Sequence, residues 1–113
     1  MNAVDADNLK AIWDPTNSFV SGQEAYPEGY EQLDKSSIID VHIKDARIRD
    51  ANRGWTEWTC VGQGEVDYRL QLAALLRDGY RGTLTIETHW YPREYATRET
   101  FRGLLNVLER VGP

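Results

Sequence analysis

A chain of 113 residues has room for one modest hydrophobic core, so a single domain is expected. Its 41% hydrophobic and 27% charged content suits an ordinary globular protein, while the net charge of −5 argues against nucleic acid as a partner, because phosphate binding needs a basic face. No apolar run nears the roughly 20 residues of a membrane span, MNAVDADNLK carries no secretory pattern, and the single Cys60 excludes an internal disulfide, so the cytoplasm is expected and a membrane partner is not.

In chain order, AVDADN at 3–8 reads as the tail of a helix entering a strand, which suggests the later portion of a larger protein. LKAIWD at 9–14 follows as a strand, with Leu9, Ala11 and Trp13 on one parity and Asp14 closing the other. The stretch to Gly29 is expected to turn, punctuated by Pro15, Gly22, Pro27 and Gly29. A short helix is expected from Glu28 to Lys35. IIDVHIKDARI at 38–48 opens as a strand over 38–44, Ile39, Val41 and Ile43 facing an apolar layer and Asp40, His42 and Lys44 the other side. Residues 45–55 are polar enough to read as a loop, and TEWTCVGQG holds a short strand near 57–61.

From Val66 to Asp78, the apolar stripe of Val66, Leu70, Ala73 and Ala74 predicts a helix, widened by Leu72, Leu75 and Leu76 and stopped by Gly79. GTLTIETH at 82–89 repeats the strand layout, with Leu84 and Ile86 opposite Thr83, Thr85, Glu87 and His89. A last helix is expected from a Thr97 N-cap to Gly112-Pro113, burying Phe101, Leu104, Leu105, Leu108 and Val111. Strands separated by helices imply an α/β protein with a parallel sheet.

That order brings Asp14, His42 and Glu87 to the same end of neighbouring strands. Two carboxylates and an imidazole suit a borderline or hard dication: Mn²⁺, Mg²⁺, Co²⁺ or Zn²⁺. Such an ion would hold two oxygens of a polyol or ketose and stabilise an enediolate, with a carboxylate moving the proton at the adjacent carbon. Each residue also has a plainer reading. Asp14 is either a ligand or a helix cap, and His42 either a ligand or a core histidine. Glu87, on a buried strand, needs a partner. Lys44 and Asp45 either bind a substrate anion and hold His42 or form a salt bridge at the strand exit. Asn17 is a turn former or a substrate contact, and His89 reaches the pocket or lies on its rim. The four tryptophans wall a sugar site or pack the core.

WDPTN, VHIKD, VGQGEVDY and LLRDGYRGTLTIETH together resemble the second half of the xylose isomerase-like TIM barrels, in the sugar phosphate isomerase/epimerase family. The resemblance runs from about Asn8 to Leu108. It implies parallel β/α units forming the C-terminal half of a (β/α)8 barrel, with Asp14, His42 and Glu87 on one metal and Glu87 also catalytic. Asn17, Lys44 and His89 would contact the sugar or sugar phosphate. The family's further ligand, a Glu from an earlier strand, has no counterpart upstream of Asp14. Asn17 stands where many epimerases of the group have His. The isolated chain is therefore expected to be inactive, and to form a homodimer or to lack an N-terminal half. The alternatives are a dehydratase or hydroxy-carbonyl isomerase on the same scaffold, and a non-catalytic module assembling through open sheet edges.

Overall fold

The computed structural model describes residues 10–111, apart from 51 and 54. The helix tail read at 3–8 and the stop at Gly112-Pro113 lie outside them. Three parallel strands form the framework: β1 (Ala11–Trp13), β2 (Ile38–Ile43) and β5 (Thr83–Ile86), with β2 in the centre. Registers pair Trp13 with Val41 and His42 with Thr85, which aligns the three C-terminal strand ends. Helix α2 (Tyr68–Arg77) lies between β2 and β5 in the chain, α3 (Arg93–Val111) follows β5, and both pack on the sheet, giving the parallel β/α order the sequence predicts.

Local chemistry explains several differences from the sequence reading. The segment expected to turn after Asp14 forms helix α1 (Pro15–Val20), because Asp14 caps the Asn17 amide at 2.9 Å and Pro15 presets the first helical position. The helix expected over Glu28 to Lys35 is broken. A wide turn at Ala25–Gly29 carries on only to Glu31, and a separate tight turn, Lys35–Ser37, starts from an Asp34 cap.

Residues 45–55 are not simply a loop: β3 (Asp45–Asp50) pairs antiparallel with β4 (Trp55–Thr59). Their polarity reflects cross-strand charge pairing, since Arg47 and Arg49 both bond Glu57, rather than missing structure. The strand expected near 57–61 therefore belongs to a hairpin and adds nothing to the parallel sheet.

The core also shifts. In β2, Ile38, Val41 and Ile43 are buried, whereas Ile39 opens on a cleft of about 480 Å³ lined by Tyr30, Leu75 and Tyr80. In α2 the buried face is Tyr68, Gln71, Leu72, Ala74 and Leu75, while Leu70, Ala73 and Leu76 are exposed. Gln71 is tolerated inside because its Oε1 accepts from the Trp13 indole at 2.8 Å. Gly79 ends α2 at a φ of 81°, with the Tyr80 amide returning to the Leu75 carbonyl.

Helix α3 starts at Arg93, one turn before the expected Thr97, whose hydroxyl instead bonds Thr88. It buries Ala96, Thr100, Leu104 and Val107, leaves Val111 half-buried, and exposes Phe101, Leu105 and Leu108. A sheet of three strands offers this helix one contact stripe. In the apolar stripe beside it, Phe101 borders a hollow shared with Ile86 and Leu108 one shared with Leu72, Leu75 and Leu84, and both stay partly open.

Candidate metal centre

Each strand end delivers one side chain. Asp14 follows β1, His42 lies in β2, and Glu87 follows β5 with its amide still bonded to the Ile43 carbonyl at 3.0 Å. One ligand atom from each residue lies within 4.8 Å of the other two. His42 Nδ1 is 2.6 Å from Glu87 Oε2 and 3.8 Å from Asp14 Oδ2. The strand register produces this convergence at the carboxyl ends of a parallel sheet, where barrel enzymes carry their chemistry.

Asp14 serves in two ways at once. Its Oδ1 caps α1, while its buried Oδ2 receives no hydrogen bond. A buried carboxylate oxygen without a donor, facing a second carboxylate and an imidazole, fits the donor set of a divalent ion. Lys44 Nζ stands 2.8 Å from that oxygen, close enough for charge attraction but outside hydrogen-bonding geometry.

The other side of the imidazole is also occupied. His42 Nε2 faces Asp40 Oδ2 at 3.5 Å, and Asp40 Oδ1 is fixed by the hydroxyls of Thr83 and Thr85 on β5. A carboxylate behind a ligating histidine orients the ring. Sequence reading placed Asp40 on the polar face without a role; the parity it shares with His42 was the available signal.

Glu87 divides its oxygens. Oε2 meets His42, whereas Oε1 accepts from Lys44 Nζ at 3.2 Å and lies 2.9 Å from His89 Nε2. Burial pushes this carboxyl up, but the His89 and Lys44 bonds and the charges of Lys44 and His42 outweigh it, leaving the group below the usual range. His89 stacks on Trp58 with ring centroids 4.6 Å apart, so hairpin strand β4 forms one wall. Asn17 lies in the first turn of α1, exposed, its amide taken by Asp14; no contact joins its side chain to the cluster.

Two buried residues outside the expected set hold the strand end. Thr16 Oγ1 donates to the Lys44 carbonyl, and Tyr68 Oη meets the Lys44 amide at 3.4 Å. Asp45, fully buried, accepts from the backbone amides of Ala46, Gly62, Gly64 and Val66 and so ties the loop before α2 to β3. Burial pushes its carboxyl up despite those bonds.

The family described as Xylose isomerase-like TIM barrel matches residues 1–107. The chain belongs to that family. Among solved structures, this xylose isomerase-like chain is similar to a xylose isomerase domain protein from Planctomyces limnophilus, at 26% identity and a TM-score of 0.79, covering 97% of this chain and 40% of that one. It is similar in fold to an IolI protein described with a zinc atom, at 22% identity and a TM-score of 0.76, covering 97% and 41%. A xylose isomerase-like TIM barrel/4-hydroxyphenylpyruvate dioxygenase fusion protein matches at 25% identity and a TM-score of 0.66, covering 90% and 17%. Among curated proteins none matches. The xylose isomerase-like fold is thus present as a partial barrel spanning about 40% of the first two solved chains. No helix among the described residues is long and apolar enough to cross a membrane.

Proposed function

We propose that this chain supplies part of the active site of a divalent-metal-dependent isomerase or epimerase acting on a sugar or sugar phosphate. The meeting of Asp14, His42 and Glu87 at three aligned strand ends carries this reading. Asp14 Oδ2, His42 Nδ1 and Glu87 Oε2 would hold the ion, and the zinc named for the IolI protein supports a dication of that kind. The chemistry a dication supplies there is charge, which lowers the free energy of the enediolate left when a proton leaves the carbon beside a carbonyl.

Glu87 takes and returns that proton. Its lowered value keeps it ionised at neutral pH, the form that can take a proton. His89 holds its second oxygen, which fixes the carboxylate plane. Asp40 holds the His42 ring. Lys44, His89 and Asn17 contact the substrate, Lys44 at its anionic end.

The domain is read as one partial barrel over 1–113, and three parallel strands cannot enclose a substrate as eight do. The isolated chain accordingly binds the ion but turns over little or nothing. Calorimetric titration of the chain with Zn²⁺ and Mn²⁺, alongside His42→Ala, tests the centre. Absence of binding to the unsubstituted chain ends this reading. Rapid epimerisation of a ketose by the chain alone would refute its inactivity.

The exposed Phe101, Leu105 and Leu108 favour a second reading, assembly through open surfaces. Mass in solution, with and without Mn²⁺, separates the two: a metal-indifferent oligomer supports assembly alone.

A further inference from the structure

The side chain of Lys44 is unusual for a lysine beside a metal centre. It is 4% exposed, and its ammonium lies against the proposed centre: 2.8 Å from Asp14 Oδ2, an oxygen proposed to bind the ion, 3.2 Å from the other Glu87 oxygen, Oε1, and 3.3 Å from His89 Nε2. Its backbone is held on both sides, by Thr16 at the carbonyl and Tyr68 at the amide, so the stem is aimed inward by the fold. A lysine serving an external anion would instead project into open solvent or an uncompensated pocket. Here one ammonium lies between two carboxylates that follow different strands and offsets one of their two charges.

We propose that Lys44 is a built-in counter-cation of the centre: it holds Asp14 and Glu87 together before the dication arrives, and must swing aside when the dication binds. The inference rests on the reading that this site takes a dication. It deepens that reading by naming a residue of this chain that weakens ion affinity.

Electrostatics sets the direction. An ion about 2 Å from Asp14 Oδ2 would lie within about 5 Å of the ammonium if Nζ stayed in place. Repulsion between a dication and a monocation at that range, with an effective dielectric of about 20, is worth several tenfold steps in binding. The loss of preorganisation when the ammonium is removed is smaller, because Asp14 Oδ1 remains bonded to Asn17 and Asp40 still backs His42. The ring of Trp58, with its centroid 5.8 Å from Nζ, gives the displaced charge a face to move toward. Displacement also turns the ammonium out of its carboxylate cage, so one residue can serve the empty site and later a substrate anion.

The test is calorimetric titration of the metal-free chain with Zn²⁺ and, separately, Mn²⁺. It compares the unsubstituted protein with Lys44→Met, which keeps the buried stem, and with Lys44→Arg, which keeps the charge. Lys44→Met is expected to bind at least about tenfold more tightly, with Lys44→Arg staying near the unsubstituted value. In metal-free buffer, Lys44→Met should lower the melting temperature, and much less so in an Asp14→Asn background.

A merely structural lysine would give weaker binding in Lys44→Met, not tighter. Equal or weaker binding by Lys44→Met, with binding intact in the unsubstituted chain, overturns the inference and leaves the metal centre standing. No binding by any of the proteins overturns both. Should Lys44→Met fail to fold, Lys44→Gln takes its place, with the same tightening expected.

Discussion

His42 Nδ1 lies 2.6 Å from Glu87 Oε2, although the two residues come from strands separated in the chain by a hairpin and a helix. Parallel pairing of β2 with β5 places His42 opposite Thr85, and Glu87 two positions further on shares that face. A shift of one residue in this register would turn Glu87 to the opposite side and dissolve the centre. The candidate chemistry therefore depends on a backbone relationship, not on any local motif.

The carboxylate behind the imidazole should matter for ion affinity without touching the ion. Asp40→Asn is expected to weaken Zn²⁺ binding by about 10- to 100-fold, with little change in folding. Titration calorimetry on the purified variant checks it; an unchanged constant would show that the 3.5 Å approach to His42 is incidental.

Asp45 should matter for stability. Asp45→Ala leaves four backbone amides without their acceptor, and only some of them can reach water. A loss of about 2–4 kcal/mol is expected, measured by urea unfolding, with faster amide exchange across 62–66. A loss below 0.5 kcal/mol, taken as roughly the range of ordinary surface substitutions, would contradict this account.

Gly103 sits where α3 meets the Val61 carbonyl, and a Cβ there would overlap that oxygen. Alanine improves helix propensity by about 1 kcal/mol, but overpacking costs about 1–3 kcal/mol. Gly103→Ala is therefore expected to destabilise despite being the better helix former. A raised melting temperature would refute the close approach.

Acid should unfold the protein partly through Asp78. Bonds from Arg77 and Tyr30 outweigh its slight burial and hold its carboxyl below the usual range. Since the folded value is the lower one, this group's contribution is complete above about pH 4, its unfolded value, and is lost as pH falls through the folded value. Asp45 carries the opposite sign: burial raises its folded value and disfavours the charged form, so its ionisation weakens the fold as pH rises above about 4. Melting curves between pH 2.5 and 5, roughly the window of carboxyl titration, should show a shallower acid loss for Asp78→Asn than for the unsubstituted chain. Identical slopes would rule out the contribution of Asp78.

The sequence by itself determined the parallel β/α order, the face on which Asp14, His42 and Glu87 stand, and the Gly79 stop. These follow from side-chain alternation, apolar periodicity and the need for a positive φ, all carried within a few residues. Only the tertiary structure decided that 45–50 is a strand, because its polarity is explained by Glu57 on a partner strand. It likewise decided that Asp14 both caps a helix and faces the cluster, since its two oxygens meet different neighbours. The exposure of Phe101 and Leu105 and the inward turn of Lys44 also lay beyond sequence reading. Burial and ion pairing depend on what other segments bring alongside, and local spacing carries no record of those neighbours.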